Sequence, residues 1–324
     1  MVHEQTGCRS GDDGRLGVRL HDTLGEAAVQ EQRELACEQL GFARTGSPRE
    51  VRHPGARDGL VLDAVGALVA FAAAGVVVVR AAQAGGKMYL TQRGSRIDMR
   101  VAVLGTGMVG RALAGRLADL GHDVVMGTRD VAGTLARTSP DGMGNPPLSG
   151  WLAGRPQVRL DTLAAAAAHG EIVVNATSGG HSIDALVAAG AQNLAGKVLI
   201  DIANPLDFSH GMPPTLFVKD TYSLGEQIQA DFPDARVVKT LNTLNANLMV
   251  NPRELADGDH SVFVSGNDPA AKATVIGLLR DFGHTDVIDL GDITTARGSE
   301  MYLPIWLRLM GALGSSAFNV KVVR

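Results

Sequence analysis

Residues 99–130 read MRVAVLGTGMVGRALAGRLADLGHDVVMGTRD, and this stretch decides the fold. Residues 101–104 form a short apolar run typical of a buried strand, and residues 108–120 carry apolar side chains at helical spacing. Residues 123–126 again have the character of a strand. The turn between the first strand and the helix is a G-x-G-x-x-G sequence, which in this strand–turn–helix–strand context predicts a dinucleotide-binding fold.

The six residues of this glycine loop are Gly105, Thr106, Gly107, Met108, Val109 and Gly110. We expect Gly105 to allow a tight turn, Gly107 to let the backbone approach a diphosphate, and Gly110 to let the helix pack closely. The N-terminus of the helix would offer its free N–H groups to the phosphates. The alternative is a fold of the same shape whose glycines only turn the chain and bind no nucleotide.

The second strand is followed by Thr128, Arg129 and Asp130. An acidic residue near this point would hold the ribose 2′-hydroxyl of NAD, whereas a guanidinium beside a hydroxyl suits the 2′-phosphate of NADP. Because Asp130 lies past the strand end and next to a cation, the sequence favours NADP(H), bound by Thr128 and Arg129. The alternative for Arg129 is an ordinary surface arginine.

Strand-like and helix-like segments alternate along the rest of the chain. Further strands are predicted at residues 158–160, 172–175, 198–201, 237–239, 262–264 and 286–288, and helices at 161–168, 183–189, 269–282 and 301–313. Asp161 would cap the first of these helices. The fold class predicted is α/β, a doubly wound Rossmann-type parallel sheet with helices on both faces and a small α/β C-terminal part.

Two further strand ends carry candidate ligand-binding turns, because Rossmann sheets bind ligands beyond the carboxyl ends of their strands. The first turn contains Asn175, Ala176 and Thr177, and the second contains Ala203, Asn204 and Pro205. We expect these turns to lie against the ribose and nicotinamide of the cofactor. Ordinary turn chemistry is the alternative, since these residue types are common in turns.

Composition narrows the function further. The chain has 324 residues, a net charge of −4 and two cysteines, Cys8 and Cys37. The charge balance argues against nucleic-acid binding, and two cysteines near the N-terminus favour a cytoplasmic protein without a disulfide framework. The histidines of the main domain lack metal-ligand spacing and are predicted in exposed loops. They are His169, His181, His210, His260 and His284.

Residues 1–98 differ from the remainder in having no sustained periodicity, apart from a helical pattern at residues 23–40. The apolar run at residues 64–79 is shorter than the roughly 20 residues of a membrane helix. A buried helix or an unstructured appendage is therefore favoured over a membrane segment. Met99 stands directly before the first strand, and we expect the functional protein to start there, with residues 1–98 as an extension.

Four stretches carry a resemblance to a known family: residues 99–130, IANPLDF at 202–208, KTLNTLNA at 239–246 and GDITTARGSEMYLPIWLRLMGALG at 291–314. They resemble the NADPH-dependent coenzyme F420 reductase (F420:NADP oxidoreductase) family, in particular its actinobacterial members. The resemblance implies an NADP-binding Rossmann domain at residues 99–235 and an acceptor-binding and dimerisation part at residues 236–324. It also implies that Ala176, Ala203 and Pro205 surround the nicotinamide, on which a deazaflavin ring stacks.

The chain departs from that family at two places. Deazaflavin-reducing members resemble LHT where this chain has Leu241, Asn242 and Thr243, so that Asn242 replaces a histidine near the ring. The segment at residues 138–151 is also longer than in the compact archaeal members. Both departures concern the acceptor and leave the NADP-binding motifs unchanged.

Hydride transfer between two flat rings requires them about 3–3.5 Å apart and needs neither a covalent nucleophile nor a metal. A hydrogen-bond donor would stabilise the charge that develops on the acceptor. The candidates are Lys239, Asn242 and Thr243. The alternative for Asn242, as for Asn245 and Asn247, is that it caps or turns the chain.

The sequence thus predicts an NADPH-dependent oxidoreductase that exchanges a hydride with coenzyme F420 or with a flavin such as FMN or FAD. An NADP-linked dehydrogenase or imine reductase and a non-catalytic NADP(H) sensor remain alternatives. The expected partner is a small-molecule redox acceptor, with no nucleic acid and no membrane. The apolar helix at 301–313 would cover its own domain or form a homodimer. Arg297 and Glu300 could pair along one helix or across the dimer contact.

Overall fold

The computed structural model describes residues 67–72, 75–84, 87–93, 99–141 and 144–324. The chain divides into two compact units, residues 1–96 and residues 97–324. In the first unit β1 (Ala67–Ala72), β2 (Gly75–Ala84) and β3 (Lys87–Arg93) form an antiparallel sheet in that order. The prediction of a helix or an unstructured segment at 64–79 is wrong where strands β1 and β2 lie. Four consecutive valines at 76–79 favour a strand, because β-branched side chains suit it. The helix predicted at 23–40 lies outside the described residues.

The second unit contains an eight-stranded sheet. Its strands are β4 (Arg100–Leu104), β5 (Asp123–Thr128), β6 (Val158–Thr162), β7 (Ile172–Asn175) and β8 (Val198–Asp201), then, after a small hairpin of β9 (Leu206–Asp207) and β10 (Thr215–Leu216), β11 (Arg236–Thr240), β12 (Ser261–Gly266) and β13 (Asp286–Gly291). The order is β6-β5-β4-β7-β8-β11-β12-β13, and every neighbouring pair is parallel except β11 with β12. This confirms the doubly wound Rossmann-type fold. The division predicted at residue 235 falls inside this single sheet.

Helices cover both faces of the sheet. They are α1 (Met108–Asp119), α2 (Val131–Ala136), α3 (Leu148–Ala153), α4 (Leu163–His169), α5 (Ser182–Ala189), α6 (Ala191–Leu194), α7 (Leu224–Asp231), α8 (Ala246–Val250), α9 (Pro269–Phe282), α10 (Ala296–Met301) and α11 (Leu303–Leu313). Alternation along β4 sends Val101 and Val103 into a core with α1, α8 and α9. Ala102 and Leu104 point into the opposite core, with α4, α5 and α7.

Two predicted helices differ from those observed. Strand β6 runs on through Asp161, so α4 begins two residues later and is capped by Thr162, whose hydroxyl accepts from the Ala165 N–H at 3.2 Å. The helix predicted at 301–313 is confirmed as α11 over Leu303–Leu313, but Met301 ends the separate helix α10 and Tyr302 interrupts the two. Pro304 accounts for the interruption, because it has no N–H for the preceding turn. Within the described ranges, no helix has the length and apolar character needed to cross a membrane.

Candidate functional site

Three glycines of the glycine loop have distinct surroundings. A Cβ on Gly105, which has φ +115°, would lie 2.5 Å from the carbonyl oxygen of Ala176. A Cβ on Gly110 would lie 2.2 Å from the carbonyl oxygen of Gly105. A Cβ on Gly107 would meet nothing within 4 Å. The protein's own packing therefore requires the first and the last glycine, whereas the middle one borders open space of the kind a diphosphate would fill.

The first turn of α1 faces this space with its backbone donors unsatisfied by side chains. Gly107 is the N-cap residue, no side chain caps the helix, and its first turn contains no acidic residue. The half-charge of the helix dipole and the free N–H groups favour an anion there. These features fit a dinucleotide diphosphate.

Arg111, which sequence analysis did not single out, shapes the glycine loop from behind. Its Nε donates to the carbonyl of Thr106 at 2.8 Å, and its Nη1 donates to the carbonyl of Pro146. Burial lowers the pKa of its guanidinium, although a nearby carboxylate, Asp141, opposes the shift. The signal in the sequence was an arginine directly after the glycine loop, among small and apolar residues of the following helix.

The end of β5 presents the residues predicted to choose between NAD and NADP. Arg129 is exposed, while Thr128 is half-buried with its hydroxyl 3.0 Å from that of Thr134. Asp130 is the N-cap of α2, and its carboxylate accepts from the Gly133 N–H at 3.0 Å. The carboxylate is thus already bound to its own helix, whereas the Arg129 guanidinium is exposed and has no ion-pair partner among the residues that the structure describes.

Residues at or next to the ends of three neighbouring strands form a buried polar row. Asn175, Asp201 and Lys239 occupy matching register positions on β7, β8 and β11. Asn175 donates to Asp201 at 2.8 Å and to Ser182 at 3.1 Å, and it accepts from Thr177 at 2.6 Å. Its side chain is fully buried, so it holds the turn that follows β7 and does not face the crevice.

The turns that follow β7, β8 and β11 contact one another in space, the first with the second and the second with the third. A Cβ on Gly179 would lie within 2 Å of the Asn204 carbonyl oxygen, so that the first two turns are in direct backbone contact. Asn204 and Asn242 bond twice, from the Asn204 amide to the Asn242 carbonyl at 2.9 Å and from the Asn242 amide to the Asn204 side-chain oxygen at 3.0 Å. Asn242 also donates to the carbonyl of Ser299 at 3.0 Å. Both donors of the Asn242 amide are therefore engaged.

Lys239 is fully buried between two carboxylates. Its Nζ lies 2.8 Å from Asp201 Oδ2 and 2.8 Å from Glu300 Oε1, and it also donates to the carbonyl of Ala203. Burial alone would lower the pKa of Lys239, but the two carboxylates outweigh it and raise the pKa above its ordinary value. Its three donors are all used, so the structure does not present Lys239 to an acceptor. A charged residue that follows the apolar run in each of two strands, Asp201 in β8 and Lys239 in β11, was the sequence signal for this pairing.

The remaining candidates, Thr243, Arg297 and Glu300, differ in whether their side chains already have protein partners. Thr243 is buried, and within the described part of the chain its hydroxyl has no hydrogen-bond partner. Arg297 and Glu300 do not pair with each other: Arg297 binds Glu226 with two donors, and Glu300 accepts from the Leu224 and Gly225 N–H groups at 2.8 and 3.0 Å.

The histidine and asparagine predictions had mixed outcomes. His260 and His284 are buried, which corrects the prediction of exposed loops. The Nε2 of each donates to a backbone carbonyl, that of Pro252 at 2.9 Å for His260 and that of Met249 at 3.0 Å for His284. Asn245 caps α8 as its alternative reading predicted, accepting from the Leu248 N–H at 2.9 Å.

Comparison with known proteins identifies the family. Residues 100–205 match the family described as NADP oxidoreductase, coenzyme F420-dependent. A crystal structure from Arthrobacter sp. FB24, named as a candidate F420-dependent NADP reductase, is 65% identical with a TM-score of 0.67, covering 70% of this chain and 100% of that one. The chain belongs to the coenzyme F420-dependent NADP oxidoreductase family. The resemblance and the NADP-dependent oxidoreductase class predicted from the sequence are thereby confirmed at the level of the family.

More distant relatives extend the comparison. The metalloreductase STEAP3 of Rattus norvegicus is 30% identical over 214 residues, which is 64% of this chain and 38% of that protein. The chain thus spans well under half the length of this curated relative. An imine reductase from Aspergillus terreus, in complex with NADPH4 and dibenz[c,e]azepine, is 18% identical with a TM-score of 0.45 over 66% of this chain and 63% of that one, too remote a likeness to bear on the reaction.

Proposed function

We propose that this protein binds NADPH across the carboxyl ends of β4, β5, β7 and β8 and transfers a hydride to the deazaflavin ring of coenzyme F420. The observation that carries the proposal is the open space at Gly107, at the uncapped start of α1. Family membership and the 65% identical Arthrobacter structure support F420 as the acceptor, ahead of FMN or FAD.

Selection of NADP over NAD would depend on the end of β5. The exposed Arg129 guanidinium can form a bidentate contact with a 2′-phosphate. Asp130, the residue that would otherwise compete for a ribose hydroxyl, is engaged as the N-cap of α2. Thr128 is held by Thr134 beside this position and would support the same phosphate.

Positioning would supply most of the acceleration. Bound NADPH supplies the hydride, and the chain's part is to hold the nicotinamide against the turns after β7 and β8 and to keep water away from it. Of the three donors predicted from the sequence, Lys239 and Asn242 are saturated by protein partners. Thr243 is therefore the candidate for a hydrogen bond to the acceptor ring.

Anaerobic stopped-flow mixing tests the proposal. The NADPH-loaded protein would be mixed separately with oxidised F420, FMN, a small ketone and a cyclic imine, with absorbance followed at the nicotinamide band. We expect fast oxidation with F420, and a slower reaction with F420 in Thr243→Val at an unchanged NADPH affinity. Oxidation by the ketone or imine alone would favour the dehydrogenase or imine-reductase alternative. Failure with every acceptor would favour a sensor.

The proposed working form is a cytoplasmic homodimer. The cysteine usage of the chain favours a reducing compartment. The surface of α11 supports the dimer, since Ile305 and Leu313 are 51% and 60% exposed on a helix in which only Leu303 and Leu307 are buried.

A further inference from the structure

The turn at residues 203–205 lies where the nicotinamide half of a dinucleotide would sit. In a doubly wound sheet the two mononucleotide-binding halves meet at the crevice, and β4 to β6 make the adenosine half. Strands β7 and β8 begin the second half, so the turn after β8 belongs to the nicotinamide end. This placement rests on the proposed function.

That turn has almost no regular structure of its own to keep it in place. Its carbonyl at Ala203 accepts from Lys239, and its N–H at Ala203 donates to Asp201 at 3.2 Å. The same ammonium binds Glu300, which in turn receives two N–H groups at the start of α7. A single buried cation thus joins the turn, strand β8, helix α7 and helix α10.

Two features of this junction are energetically unfavourable. Removing an ammonium and two carboxylates from water carries a desolvation penalty that only close polar partners offset. Hydrophobic residues of similar volume in their place often give an equally stable protein. Leu241, two residues after the lysine, has φ +59°, a left-handed conformation that is unfavourable for a branched side chain. A stable fold requires neither the buried charges nor the left-handed Leu241. A turn that must be held in one exact position for a ligand gives a reason for both.

We infer that Lys239 is a positioning residue, which together with Asp201 and Glu300 fixes the 203–205 turn as the surface against which the nicotinamide ring is held. It acts through Ala203 and touches neither the cofactor nor the acceptor. The buried charge network thus serves the binding of one half of the cofactor.

The test compares two ligands that differ in the nicotinamide half. The variant is Lys239→Met combined with Asp201→Asn, which removes the cation and one carboxylate together and retains the side-chain shapes. Affinities for NADPH and for 2′,5′-ADP, which lacks the nicotinamide, would be measured by calorimetry. We expect NADPH to bind about tenfold more weakly and 2′,5′-ADP to bind as in the wild type. Equal losses for the two ligands, or no loss for either, would overturn the inference.

A matched control and a ligand-free measurement complete the test. Lys272 also bridges a carboxylate, Asp289, and a backbone carbonyl, that of Gly291, both at 2.9 Å, but at the β13 edge of the sheet. Lys272→Met should leave both affinities unchanged. Hydrogen exchange without ligand should quicken at residues 202–206 and not at 105–110 in the double variant.

Two results keep the inference separate from folding and from the proposed function. If the double variant does not fold, Glu300→Gln preserves shape and decides by the same exchange pattern, and unchanged exchange at 202–206 would refute the inference. A wild-type protein that binds neither ligand would overturn the proposed function and the inference together. A wild type that binds both, with a variant that loses neither, would overturn the inference alone.

Discussion

At the residue scale, the glycine loop shows one amino acid serving two purposes. Gly110 has no room for a methyl group, because the Gly105 carbonyl oxygen would lie 2.2 Å from it. Gly107 has room on the protein side and a φ of −75°, which any residue adopts. The packing of the protein itself therefore requires glycine at position 110, whereas at position 107 only the proposed ligand would require it.

Alanine at each position should separate the two roles. We expect Gly107→Ala to keep the wild-type melting temperature. Its NADPH dissociation constant should rise about a hundredfold or more, because the methyl group occupies the space proposed for the diphosphate. Gly110→Ala should lower the free energy of unfolding by about 1–3 kcal/mol through overpacking. Thermal melts and calorimetry measure both. Full NADPH affinity in Gly107→Ala would contradict the placement of the diphosphate.

Arg129 carries the second prediction at this scale. Arg129→Ala should weaken NADPH binding by about ten- to a hundredfold, the value of one charge-assisted contact, and leave NADH binding unchanged. Arg159→Ala is the control, since that arginine is likewise exposed but lies within β6 and pairs with Asp123, the first residue of β5. Equal effects of the two substitutions would mean that Arg129 acts only through overall charge.

At the element scale, a strand or helix was predictable from the sequence where its signal is local. Strands β4, β7 and β8 and helix α9 were predictable because their apolar runs and breakers are local signals. The break at Tyr302 also has a local signal, Pro304, which the apolar periodicity of residues 301–313 obscured, whereas the burial of His260 depends on partners such as Asn319, 59 positions away. The same limit applied to the site: the glycine loop is a local motif, whereas the Asn204–Asn242 pair and the Lys239 junction join residues 36 to 61 positions apart, as Lys239 to Ala203 and to Glu300 show.

The contact between α8 and the end of α9 gives a pH-dependent prediction. Burial lowers the pKa of His284 from 6.5 to about 4, with its Nε2 at 3.0 Å from the Met249 carbonyl. The unfolded chain therefore binds a proton between these values that the folded protein does not, and the stability from this group falls as the pH drops from 6.5 to 4. The loss amounts to about 3 kcal/mol.

His284→Gln keeps a donor for the Met249 carbonyl and removes the titration. Chemical denaturation at pH 7, 5.5 and 4 should show a flatter pH dependence than in the wild type, whereas the exposed His210→Gln should not. If the wild type and His284→Gln lose stability in parallel, acid unfolding does not depend on this histidine.

At the scale of the whole molecule, α11 leaves an apolar surface uncovered by the described chain. Because Ile305 and Leu313 are exposed there, we expect a homodimer through this helix. Ile305→Glu should raise the dimer dissociation constant by about tenfold or more, as measured by sedimentation equilibrium, since a carboxylate would be buried in the contact. Thr274→Glu, on an exposed position of α9, is the control. A monomeric wild type would contradict the proposed dimer.

The two compact units of the chain differ in what they contain. All eight strands of the large sheet, both of its cores and each residue assigned to the site lie within residues 97–324, and the three strands described in the other unit form a sheet of their own. We therefore expect residues 97–324, produced alone, to fold and to bind NADPH within about twofold of the full chain, because no hydrogen bond of the sheet is removed. Melting temperature and calorimetry against the full chain provide the measurement. An unfolded fragment, or one that binds NADPH far more weakly than the full chain, would contradict the expectation that residues 97–324 suffice.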